Sequence, residues 1–169
     1  MMPSCTDLDE TVYDNLPADT FGSTETEVNA LVGTVYKTLK QYVADGNYIA
    51  LDVMSGSDAV TPTRKGGDWY DGGQYREIYM HTWTSQTGVI KGAWSNASQS
   101  IGTCNANLSV VEASEILSPE KKTQLVAEIR GVRACWIYKM MDDCGNIPFV
   151  LDYADKELPT CQPRQTVYD

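Results

Sequence analysis

Three stretches of the chain place apolar residues at the helical spacing i, i+3, i+4, i+7, and the segments between them do not. The first stripe is Val28, Leu31, Val32, Val35, Tyr36, Leu39 and Val43. Thr24, with Glu27 three residues on, forms a capping box ahead of it, and the Asp-Gly-Asn of "ADGNY" ends it. The spacing predicts a helix over 24–43. The second stripe is Val89, Ile90, Ala93, Trp94, Ala97, Ile101, Cys104, Leu108 and Val111, which predicts a helix over 88–112. Asn96, Ser98, Ser100 and Asn105 are mediocre helix formers, so packing must sustain that helix. The third stripe is Leu125, Val126, Ile129, Val132, Trp136 and Met140, within a helix expected over 119–144. Ser118 suits its N-cap, Pro119 its first position and Glu120 its positive end. Gly145 supplies the C-terminal turn and Pro148 prevents continuation. Asp142 and Asp143 oppose the helix dipole in the last turn, and nothing adjacent in the sequence offsets them.

The second and third helices are joined by a short connection and therefore pack antiparallel. The fold class is mostly α, built from tetratricopeptide-like helical hairpins. No second copy of the unit is visible, and one such unit cannot bury its outer face. Residues 1–22 read as an acidic tether, and residues 23–169 as one helical domain. "CQPRQTVYD" stops where a further helix could begin, so the chain reads as truncated at its C-terminal side.

Between Ile49 and Thr87 no period is sustained, although the usual connection is about 4–6 residues. This long irregular loop is rich in aromatics. "TRKGGDWYDGGQYREIYMHTW" sets Trp69, Tyr70, Tyr75 and Trp83 among glycines and charges. Such aromatics either pin the loop onto the helices or face a ligand. Trp83, next to the second helix, is expected to pack, as are Trp94 and Trp136 on their stripes.

Composition narrows the function. The chain has 169 residues and a net charge of -10, which opposes nucleic acid and anionic membrane surfaces. No run approaches 18 apolar residues, and "MMPSC" lacks the basic and apolar regions of an export signal. The five cysteines (Cys5, Cys104, Cys135, Cys144 and Cys161) and the single His81 give no metal-ligand spacing, so no metal or cofactor is expected. Cys104 and Cys135 suit small core positions. Asp68 and Asp71 lack EF-hand spacing. His81 has no neighbouring nucleophile, and no motif nominates a carboxylate pair for glycoside hydrolysis, so no enzyme is expected. Arg130 and Arg133 suit bonds to carboxylates or helix ends.

Four stretches together resemble the N-terminal part of the SusD/RagB family of outer-membrane nutrient-binding lipoproteins. "SCTDLDE" resembles the family's lipidated cysteine and acidic tether, and "TPTRKGGDWYDGGQYREIYMHTWT" its first long loop. "AWSNASQSIGTCNANL" and "AEIRGVRACWIYKMMDDCGNIPFV" resemble two of its helices, the second in an "E-x-R-x-x-R-A-x-x-Y" pattern. Gly131, Cys144 and Asn146 stand where the family usually has a bulky apolar residue, an aromatic and an aspartate. Family members are several times longer.

The resemblance implies binding without catalysis: an oligosaccharide is held at the cell surface and passed to a SusC-like TonB-dependent transporter. It implies an outer-membrane lipoprotein anchored through Cys5. In that setting Trp69, Tyr70 and Tyr75 suit the flat face of a sugar, and Arg64, Asp68 and Asp71 its hydroxyl edge. The alternative is a helical-repeat module that binds a peptide and no sugar.

Overall fold

The computed structural model describes residues 22–169 apart from 23, 45, 57, 63, 68, 69 and 156. Cys5, Asp68 and Trp69 therefore lie outside the described residues. The protein is mostly α. The long helices are α1 (Glu25–Ala44), α4 (Gly88–Ala113) and α5 (Pro119–Cys144). Each begins and ends within a residue of the span expected from its stripe.

The local signals act as their chemistry requires. The Glu27 amide donates to Thr24 Oγ1 at 3.2 Å, and the Thr24 amide donates to the Glu27 carboxylate at 3.1 Å, which completes the capping box. The Lys121 amide donates to Ser118 Oγ at 3.2 Å at the start of α5. Gly145, at φ +77°, ends α5 in a conformation that glycine adopts without steric cost. Two cations answer this helix end, one distant in the sequence and one a turn earlier on α5. Arg164 donates to the Met141 and Asp142 carbonyls at 3.0 and 3.3 Å, and Lys139 pairs with Asp143 at 3.3 Å.

The segment read as irregular contains short helices. α2 (Gly46–Ile49) runs into a π-helical turn, Ala50–Met54, and a 3-10 turn (Asp71–Gly73) leads into α3 (Gln74–Tyr79). Elements of three to six residues are too short to show a period. The π-helical turn and α3 hold their place through a small core of Ala50, Ile78 and Val89. Beyond α5, β1 (Ile147–Pro148) pairs antiparallel with β2 (Cys161–Gln162), and α6 (Arg164–Tyr168) follows.

α4 and α5 form the expected hairpin, and α1 lies against both. The main core takes Val28, Val32 and Val35 from α1, Ala97, Cys104 and Val111 from α4, and Leu125, Ile129 and Trp136 from α5. Trp136 is wholly buried. Its Nε1 donates to Thr38 Oγ1 at 2.8 Å, and Thr38 in turn donates to the Val35 carbonyl at 2.7 Å. Tyr42 meets the indole edge-on at a centroid distance of 5.4 Å, and Tyr48 lies 5.8 Å away. The Tyr48 hydroxyl donates to the Ala93 carbonyl at 2.6 Å, which ties α2 to α4.

Two residues depart from their stripes, and one cysteine from the core position expected of it. Tyr36 is exposed and sends its hydroxyl to Glu128 at 2.8 Å, bridging α1 to α5 from outside. Cys135 is exposed rather than core, whereas Cys104 is buried and its thiol is pushed up to about 11, chiefly by that burial. Trp94, expected in the core, is 37% exposed.

Thr38→Val should lower stability by about 1–3 kcal/mol, because it strands the buried indole N–H. Thr38→Ser, which keeps the hydroxyl, should cost less. Urea denaturation of the two variants decides; a neutral Thr38→Val would refute the role given to this bond.

Candidate functional site

Of the loop residues expected to meet a ligand, Asp68 and Trp69 lie outside the described residues, and the other four differ in exposure. Arg64, Tyr70 and Asp71 are exposed. Asp71, Gly72 and Gly73 all have positive φ, so the chain turns sharply there. The Tyr70 ring folds over Gly73, where an added Cβ would sit 3.0 Å from the Tyr70 hydroxyl. Tyr75 is half-buried on α3 and packs against the Ala50–Ile78–Val89 cluster, so for this ring packing describes its surroundings better than ligand contact.

A different aromatic pair faces open space. Trp83 and Trp94, both expected to be packing residues, line a cavity of about 410 Å³ with Leu51, Asp52, Ser55, Ile90, Ala93, Asp143 and Cys144. Trp83 is 39% exposed, close to Trp94. Arg64, Tyr70, Asp71 and Tyr75 do not line this cavity. Four segments build its wall: the π-helical turn, the loop before α4, the first turns of α4 and the end of α5. A π-helical turn is uncommon and recurs at functional sites. Here it carries Leu51 and Asp52, and Ser55 directly follows it.

Trp83 is held by its neighbours. The His81 ring lies 5.1 Å from it at 41°. His81 Nε2 is 3.1 Å from the Ser55 carbonyl, which only accepts, so Nε2 carries the proton. His81 also sits at φ +54°, a left-handed conformation rare for a residue with a side chain. The loop is thereby fastened to the π-helical turn at the cavity edge.

Beneath the tryptophans lies a charged cluster. Lys139 is nearly buried. Its ammonium donates to both oxygens of Asp52, at 2.9 and 3.1 Å, pairs with Asp143 at 3.3 Å and stands 5.2 Å from the centre of the Tyr48 ring. Burial is the largest single influence on Lys139 and pushes its pKa down, but Asp52 and Asp143 together outweigh it and hold the group above its ordinary value. Asp143 is pushed up by its burial, which Lys139 offsets only in part. The Cys144 thiol is raised by burial and then by Asp143, so it stays protonated at neutral pH.

Two further cavities, of about 380 and 720 Å³, share Asn105, Asp152 and Tyr153. Their polar groups are largely engaged in holding the chain after β1. Arg133 donates to Asn105 Oδ1 at 2.8 Å and to the Leu151 carbonyl at 3.1 Å, and Asn105 donates to the Val150 carbonyl at 3.0 Å. Arg130 pairs with Glu112 at 3.0 Å. Arg130 thus makes the carboxylate bond expected of it, whereas Arg133 bonds to an amide oxygen and to a carbonyl of the chain after β1 rather than to a carboxylate or a helix end. Among the described residues no cluster of His, Cys, Asp and Glu could hold a metal ion, and no helix is long and apolar enough to cross a membrane.

No family model matches the sequence, and no curated protein matches it. Solved structures do. The chain is similar to the surface glycan-binding protein A from Bacteroides fluxus, with a TM-score of 0.65 and 22% identity over 86% of this chain and 30% of that one. The fold is that of part of a SusD-like protein. A SusD-like carbohydrate-binding protein from Bacteroides fragilis NCTC 9343 is similar too, with a TM-score of 0.53 and 19% identity over 88% of this chain and 29% of that one. The chain therefore spans about 30% of the length of each. The resemblance seen in the sequence motifs holds at the level of the SusD-like fold.

Lys139→Ala should cost about 3 kcal/mol at neutral pH, since it leaves the shielded Asp143 without its cation. Because the Lys139 pKa is raised in the folded state, its contribution is full below the ordinary value of 10.5 and fades as pH rises through the raised one. Denaturation across alkaline pH should show this loss in the parent chain and not in the Lys139→Ala variant.

Proposed function

We propose that this chain binds an oligosaccharide in the Trp83–Trp94 cavity and serves as the glycan-binding part of a surface uptake system of the SusC/SusD type. The observation that carries the reading is the pair of half-exposed indoles on one cavity, with carboxylates beside them. A sugar ring is apolar on one face and hydroxyl-rich at its edge, so indole faces and carboxylate oxygens suit the two parts of it. The names of the two similar proteins, one glycan-binding and one carbohydrate-binding, support the same chemistry.

The role is binding, not catalysis. Asp52 and Asp143 both bond to the Lys139 ammonium that stands between them, which suits them to hold a ligand's donors rather than to serve as the acid and nucleophile pair of a glycosidase. The Cys144 thiol is held protonated, and His81 Nε2 is committed to a carbonyl. In the full system the ligand passes to a SusC-like TonB-dependent transporter. Cys5 anchors the protein to the outer membrane at the cell surface through several acyl chains, which together give stable attachment. Arg64, Tyr70 and Asp71, exposed on their turn, serve a longer glycan or the transporter.

Trp94→Ala should weaken oligosaccharide binding by about 1–3 kcal/mol, while its partial exposure keeps the melting temperature nearly unchanged. Titration calorimetry over a panel of oligosaccharides, paired with thermal melts, measures both. Normal binding with an early melt would make Trp94 a packing residue. Binding of a partner peptide with no affinity for any sugar would favour the helical-repeat interaction module instead.

A further inference from the structure

The Trp83–Trp94 cavity carries a charge pattern that says which glycans it takes. Its lining includes two carboxylates, Asp52 and Asp143, and no lysine or arginine. Lys139 supplies one ammonium from beneath, so the group of three retains one negative charge. That charge is placed to act on a ligand. The Asp52 side chain is 59% exposed, and a carboxylate that gives one lone pair of each oxygen to Lys139 keeps others for a second donor. Asp143 is shielded, with 13% of its side chain exposed, and burial disfavours its ionised form; a second cation nearby would relieve that penalty.

The walls reinforce the sign. An indole face is the most favourable aromatic surface for a cation, and its attraction grows when water is excluded. Two indoles and two carboxylates on one cavity form a setting for a positively charged amine. The same setting repels a carboxylate or sulfate, and the chain's net charge of -10 adds to that repulsion at longer range. Neutral sugars can stack on the tryptophans but do not use the uncompensated charge.

Resting on the reading that this cavity binds glycans, we propose that it selects oligosaccharides carrying a protonated amine, such as glucosamine units, over their N-acetylated and acidic counterparts. The amine lies against Trp83 and Trp94 and donates to Asp52.

Titration calorimetry of the full chain at neutral pH and low salt tests this with three probes. They are a glucosamine oligomer, the N-acetylated oligomer of the same linkage and length, and a uronic acid oligomer. The glucosamine oligomer should bind about tenfold more tightly than the N-acetylated one, the factor to which about 1.4 kcal/mol corresponds. The uronic acid oligomer should be the weakest. Asp52→Asn should bring the ratio of the first two close to one, and added salt should shrink it in the parent chain. Equal affinities in the parent chain, or a ratio that survives Asp52→Asn, overturn the selectivity and leave glycan binding standing. Failure of all three probes to bind a chain that melts normally, together with a wider neutral panel that also fails, overturns both.

Discussion

The indole N–H of Trp136 is enclosed by the core, and its partner there is the Thr38 hydroxyl, 2.8 Å away. Leaving that donor unpaired would cost about 1–3 kcal/mol, a large share of the stability of an ordinary domain. α1 is therefore held at one height along α5. The same indole takes the edge of Tyr42 and the tilted ring of Tyr48, and Tyr48 passes the constraint to α4 through the Ala93 carbonyl. One side chain thus sets the register of α1, α2 and α4 against α5. Apolar stripes alone would tolerate sliding, because the hydrophobic effect is non-directional.

The candidate site hangs on this frame. Lys139 lies one turn beyond Trp136 on α5, with its ammonium over the same Tyr48 ring, 5.2 Å from its centre. From there it reaches Asp52 on the π-helical turn and Asp143 at the end of α5. The floor of the cavity is thereby joined to the core by a short chain of contacts: Thr38, Trp136, Tyr48, Lys139 and the two aspartates. The tryptophans of the wall come from other segments, Trp94 from α4 and Trp83 from the loop before it. Trp94 projects from α4 one residue past Ala93, and Trp83 is propped by His81, which is fastened to Ser55. Binding groups placed on rigid elements lose little freedom when a ligand arrives, which favours affinity.

Much of the fold was legible in the sequence because its three main helices are long. Twenty or more residues give a stripe many chances to repeat, and the Thr24–Glu27 and Ser118–Pro119 signals mark where the first and third begin. The motifs also pointed to the SusD-like fold that the solved structures share. α2, α3 and the π-helical turn were hidden, since four to six residues cannot display a period and only tertiary contact holds them. The site was less legible. Trp94 and Trp136 occupy equivalent places on apolar stripes, and the pattern cannot tell a covered stripe from one wider than its cover. The stripe on α4 spans Ile90, Ala93, Trp94 and Ala97, and the neighbouring elements bury Ala93 and Ala97 while leaving Trp94 at the rim. Trp83, between Thr82 and Thr84, carried no apolar neighbours in sequence, and that absence was the available hint of exposure. Glycine-flanked Tyr70 drew attention for the same reason, and it is exposed, with its ring folded back on Gly73.

The most direct test is a crystal structure of the chain with a bound oligosaccharide. The account predicts a sugar ring stacked on Trp83 or Trp94, with a hydrogen bond to Asp52 and the Lys139 cluster unchanged beneath it. A sugar seated instead against Tyr70 and Asp71, or in the cavities beside Tyr153, with the Trp83–Trp94 cavity holding only water, would contradict it.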